Sequence, residues 1–99
     1  MPVIDFRGDE LKELGDLTLI EFYTDWCPSC RAAKNAVERL VKENEELEVL
    51  TVNTDENPKL AKEFGIMSVP TFVLMKEGRV HKRVSGAKSL GELRELTLI

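Results

Sequence analysis

Cys27 and Cys30 are the two cysteines of the chain, and Pro28 and Ser29 stand between them. A C-x-x-C pair admits three chemistries. A structural staple closing so short a loop removes little entropy from the unfolded chain, and its stabilisation grows with loop length. A zinc or iron-sulfur site wants about four ligands, and beyond the pair the sequence offers a single histidine, His81, and carboxylates. Staple and metal site are both disfavoured. The third chemistry is a redox dithiol, and it depends on what surrounds the pair.

The elements that must position the two thiols follow from spacing and from turn residues. Residues 3–6 form a short apolar strand, and residues 9–14 a helix of one or two turns that Gly15 ends. Residues 17–23 are nearly all apolar, with Glu21 the only charge, as in a strand buried on both faces. A helix starts at the cysteines, where Pro28 suits the first turn because its missing N–H has no partner to lose. Its apolar positions Ala33, Ala36, Val37, Leu40 and Val41 step by three and four along one face.

Residues 47–52 alternate and are β-branched, predicting a second core strand. Asn57-Pro58 opens a short helix over 59–64 that Gly65 ends. Residues 71–75 read as a strand, Glu77-Gly78 as a hairpin turn, and 80–84 as the returning strand. Gly86 breaks that strand, and residues 89–96 make a last helix. The order is β-α-β-α-β-α-β-β-α, an α/β fold with a central mixed sheet: parallel pairs linked by helices, then an antiparallel edge hairpin.

Ninety-nine residues leave room for one domain spanning 1–99. With 42% hydrophobic and 32% charged residues, the chain has enough apolar side chains to offset the entropy of ordering. No run approaches the ~18 apolar residues of a membrane span. The first sixteen residues carry acids where a secretory leader carries bases, so a cytoplasmic location is expected. A net charge of -4 argues against a nucleic-acid surface, which requires a basic face. The charge is uneven: residues 1–58 hold 6 Lys and Arg against 14 Asp and Glu, whereas residues 59–99 hold 8 against 4. Solvated helix faces followed by a basic hairpin account for it.

Four segments carry a family resemblance: Glu21-Phe22-Tyr23-Thr24-Asp25-Trp26-Cys27-Pro28-Ser29-Cys30-Arg31, Asn53-Thr54-Asp55-Glu56-Asn57-Pro58, Phe64-Gly65-Ile66-Met67-Ser68-Val69-Pro70-Thr71, and Gly86 after the hairpin. Over essentially its full length the chain resembles the thioredoxin family. The resemblance implies the thioredoxin fold and reduction of disulfide-containing protein substrates by dithiol-disulfide exchange. It implies a monomer that carries no bound cofactor or metal and draws electrons from a thioredoxin reductase. Three features depart from the family: Pro-Ser between the cysteines in place of Gly-Pro, Glu21 in place of a buried Asp, and Thr51 where some members carry a Lys. Pro28 suggests a glutaredoxin-like, glutathione-dependent alternative. A redox-inert binding module on the same fold is a second alternative, although it needs neither cysteine.

Roles follow from placement. Cys27 lies just before the helix, where unpaired N–H groups and the positive dipole end favour its thiolate, making it the nucleophile. Its pKa is expected at roughly 6 to 7.5, as in thioredoxins and below the ~8.5 of a free cysteine. Cys30, one turn inward and more buried, is the resolving thiol. Glu21 lies among apolar neighbours, so its pKa should rise and let it accept the Cys30 proton. Trp26, Met67, Val69, Pro70 and Gly86 are expected to form the substrate surface, with the Val69-Pro70 bond cis as in the family. Asp25, Pro28 and Ser29 complete the active-site loop.

Overall fold

The computed structural model describes residues 3–8 and 15–98. Its five-stranded sheet comprises β1 (Val3–Asp5), β2 (Leu17–Tyr23), β3 (Glu48–Asn53), β4 (Thr71–Lys76) and β5 (Arg79–Ser85) in the order β1-β3-β2-β4-β5. The pairs β1/β3 and β3/β2 are parallel, whereas β2/β4 and β4/β5 are antiparallel. The sheet is therefore mixed, as expected. The described residues form three helices, α1 (Pro28–Glu43) between β2 and β3, α2 (Pro58–Glu63) between β3 and β4, and α3 (Leu90–Leu96) after β5. The helix expected over 9–14 lies outside the described residues.

The nearly unbroken apolar run of β2 has its explanation in the topology. This strand sits at the centre of the sheet and is covered on both faces, so its five inner residues are all buried. On one face Leu19, Val49, Phe72 and Leu74 pack against Ala33, Val37, Leu40 and Val41 of α1 and Leu93 and Leu96 of α3. On the other, Ile20, Phe22, Leu50, Val52, Val73 and Met75 are packed by Leu60, Phe64 and Ile66 from α2 and the chain after it. The three-and-four spacing of α1 thus becomes one buried stripe against the sheet.

The helix ends are chemically specified. Ser89 and Glu92 form a reciprocal capping box at the start of α3. Beyond α2 the chain escapes through Gly65 at φ +66°, a left-handed conformation that glycine adopts without side-chain strain. Glu77 and Gly78 both have positive φ, which matches the right-handed twist of the β4–β5 hairpin. The basic hairpin strand is exposed but not idle. Lys82 donates to the Leu98 carbonyl beyond α3, and Arg83 donates to the carbonyls of Phe64 and Gly65 beyond α2. Cations on the last carbonyls of a helix complement its dipole.

Candidate active site

At the end of β2 the chain turns through Thr24, Asp25 and Trp26 and enters α1, with the Cys27 N–H donating to the Thr24 carbonyl at 3.4 Å. Cys27 is the N-cap of α1. Its extended backbone (φ -93°, ψ 107°) turns the sulfur back over the first turn, where Sγ accepts the Cys30 N–H at 3.1 Å. Cys27 and Cys30 are disulfide-bonded, with Cα atoms 5.3 Å apart. Ser29 Oγ lies 3.3 Å from Cys27 Sγ, and the Val69 carbonyl oxygen 3.9 Å from it. The expected difference in burial between the two cysteines is absent in this disulfide form, since Cys27 is 4% exposed and Cys30 5%. Ser29 on one side and the Val69 loop on the other cover the first sulfur as well as α1 covers the second.

The loop facing the disulfide has the expected cis bond at Val69-Pro70. It is tied down from two sides: Thr71 Oγ1 donates to the Ser68 carbonyl at 2.7 Å, and the Gly86 N–H donates to the Pro70 carbonyl at 2.8 Å. Gly86 takes φ +91° to reach that position. Two large apolar side chains stand in solvent, Trp26 next to Cys27 in sequence at 68% exposure and Met67 in the loop before Val69 at 97%.

Glu21 sits on β2, the strand that leads into the site. It pairs with Thr51 of β3 and Phe72 of β4 and is only 5% exposed. Desolvation by burial pushes its carboxyl up to about 7. Glu21 and Cys30 line the same cleft of about 670 Å³, together with Tyr23, Thr24, Asp25, Arg31, Lys34 and Thr51. Among the described residues, no group of three or more His, Cys, Asp and Glu side chains is arranged to hold a metal ion, and no helix is long and apolar enough to cross a membrane.

A disulfide at a helix N-terminus, a facing cis-proline loop and a buried acid on the adjoining strand form one constellation, and a family model described as thioredoxin matches residues 6–97. The chain belongs to the thioredoxin family. It is 35% identical over 80 residues to Thioredoxin H2 of Arabidopsis thaliana, covering 81% of this chain and 60% of that protein. With the thioredoxin of Streptomyces clavuligerus it shares 34% identity over 83 residues, 84% of this chain and 77% of the relative. Among solved structures, a mutant thioredoxin from Halobacterium salinarum superposes with a TM-score of 0.89 at 30% identity, covering 96% of this chain and 87% of that one. Thioredoxin from Fasciola hepatica gives 0.79 at 36% identity, covering 87% and 82%. A thioredoxin-family chain with its C-x-x-C pair intact is a thiol-disulfide oxidoreductase. Neither the glutaredoxin-like nor the redox-inert alternative is favoured by these relatives.

The thioredoxin site also contains residues to which the sequence alone assigns no task. Asn53, the last residue of β3, accepts the N–H groups of Asp55 and Glu56 on Oδ1 and donates from Nδ2 to Asp25 at 3.3 Å. The turn it shapes presents Asp55, whose Oδ2 accepts the Trp26 indole N–H at 3.0 Å. Asn53 therefore braces the active-site loop twice, through Asp25 directly and through Asp55 to Trp26. The signal was present in the Asn53-Thr54-Asp55 segment, a side-chain-to-backbone turn pattern. Its partners in the loop are 28 and 29 residues away, so no local rule connects them.

Proposed function

We propose that the chain reduces protein disulfides by two successive thiol-disulfide exchanges. The Cys27 thiolate attacks a substrate disulfide, forming a mixed disulfide and releasing one substrate thiolate. Cys30 then attacks Cys27 Sγ, which closes the Cys27-Cys30 disulfide and expels the second substrate thiol. Two electrons pass to the substrate. The observation carrying the division of labour is that Cys27 Sγ, not Cys30 Sγ, caps α1 and accepts a backbone N–H. That placement favours a thiolate on Cys27.

Glu21 supplies the base for the second step. Its pKa near 7 leaves it partly ionised at neutral pH, and the cleft it shares with Cys30 gives the proton a path, directly or through water. The exposed rings and thioether of Trp26 and Met67 offer an apolar landing surface beside the disulfide. Between them the Val69 backbone is positioned for an extended client segment to pair with it as an added strand. The same reading has one domain over 1–99 act as a cytoplasmic monomer recharged by a thioredoxin reductase, with family membership as its support.

Incubation with an insulin-type disulfide substrate tests the scheme. Cys27→Ser should abolish reduction, and Cys30→Ser should accumulate a covalent adduct at Cys27. Normal turnover by Cys30→Ser overturns the two-thiol mechanism.

A further inference from the structure

We propose that the Ser29 hydroxyl is a catalytic hydrogen-bond donor to the Cys27 thiolate, and that it sets the ionisation of that thiol. The inference rests on Cys27 being the attacking thiolate. Pro28 occupies the first helical position and brings no N–H, so the turn beneath the sulfur has lost a donor. Ser29, half-buried in the next position, places Oγ 3.3 Å from Cys27 Sγ. The disulfide sulfur carries no proton, so in this contact the hydroxyl is the donor. When the disulfide opens and Cys27 ionises, the acceptor becomes an anion, and the same O–H strengthens. The thiolate then holds two donors from one turn, the Cys30 N–H and the Ser29 O–H.

Besides Cys30, the ionisable groups of the cleft on this side of α1 are Arg7, Glu21, Tyr23, Asp25, Arg31, Lys34 and Glu38, and Asp55 on the turn after β3 is hydrogen-bonded to Trp26. Residues 65–70 bring none. Replacing Ser29 leaves all of them in place, so a change in ionisation isolates the hydroxyl. A hydrogen bond gained mainly by the charged form shifts an ionisation constant by about tenfold, or about one pH unit.

The test follows thiolate absorbance against pH in a Cys30→Ala background, where Cys27 is the sole thiol. Adding Ser29→Ala should raise the midpoint by about one unit, and Ser29→Thr, which keeps the hydroxyl, should not. With both cysteines present, Ser29→Ala should become harder to reduce by glutathione, about tenfold at pH well above both midpoints and not at all well below them. A structural role for Ser29 would give a pH-independent difference instead. If the Cys30→Ala protein titrates low and Ser29→Ala leaves it there, or if Ser29→Thr shifts it equally, the hydroxyl role is overturned while Cys27 remains the thiolate. If the Cys30→Ala protein itself titrates near the ~8.5 of a free cysteine, the role of Cys27 falls and the Ser29 inference with it.

Discussion

Glu21→Gln should change the pH dependence of stability, and the size of the change follows from burial. Below about pH 4.5 the carboxyl is protonated in both folded and unfolded chains and contributes no pH-dependent difference. Between about 4.5 and 7 the unfolded chain releases the proton while the folded chain keeps it, because the folded pKa is raised to about 7. The folded state then binds more protons, so stability falls as pH rises through this window and levels off above it. A shift from 4.5 to about 7 converts, at 1.36 kcal/mol per unit, to a cost of about 3 kcal/mol at neutral pH and above. The amide does not titrate, so the variant lacks this penalty at every pH. Its own cost of burial is the same at every pH. Urea unfolding of the oxidised proteins at pH 4.5 and pH 8 therefore isolates the ionisation. The stability of Glu21→Gln relative to the parent should grow by about 3 kcal/mol between the two, a gain of at least about 10 °C in Tm for a domain of this size. A difference that stays constant between those pH values would refute the reasoning, because it would mean that Glu21 ionises in the fold as it does in water. The same variant should slow release of the mixed disulfide, measured by single-turnover trapping, since Gln cannot accept the Cys30 proton.

Asp55→Ala removes the acceptor of the Trp26 indole. Because Trp26 is the single tryptophan, its fluorescence anisotropy reports on that ring alone and should fall, with a stability loss of no more than about 1 kcal/mol for an exposed hydrogen bond. Asn53→Ala should loosen Asp25 and Trp26 together, giving a larger anisotropy loss than Asp55→Ala; an equal or smaller loss would count against Asn53 as the brace. Arg83→Ala frees the carbonyls of Phe64 and Gly65, and amide exchange around residues 64–66 should accelerate while α1 is unaffected. Phe72→Ala empties a fully buried position beneath α1 and α3 and should cost about 3 to 5 kcal/mol in urea unfolding.

The parts of this molecule that were legible in its sequence are those where a local rule and the global fold demand the same thing. Residues 17–23 announce a central strand because a strand covered on both faces has no side on which to put polar residues, and Leu17–Tyr23 is that strand. The lone Glu21 in the run was readable as buried for the same reason. The last helix was expected to begin at Ser89, and Ser89 is the N-cap of α3. Elsewhere the deciding contact is distant in sequence, and composition gives no hint of it. The basic residues of β5 read as a solvated stripe, yet Lys82 and Arg83 reach across to the ends of two different helices. Nothing in the hairpin says which carbonyls will lie beneath it.

The active site divides along the same line. The place of Cys27 at the start of a helix was readable, and that N-cap position supplies the N–H that its sulfur accepts. The equal burial of the two sulfurs was not, because it depends on Val69, 42 residues along the chain, closing over Cys27. That closure bears on the order of events. A client that reaches Cys27 as proposed must therefore displace the cover that Ser29 and the Val69 loop provide. Cys30, in the first turn of α1, lines the cleft that also holds Glu21. The proposed order of attack, Cys27 before Cys30, accordingly rests on the N–H that Cys27 Sγ accepts at the start of α1, since burial does not separate the two sulfurs.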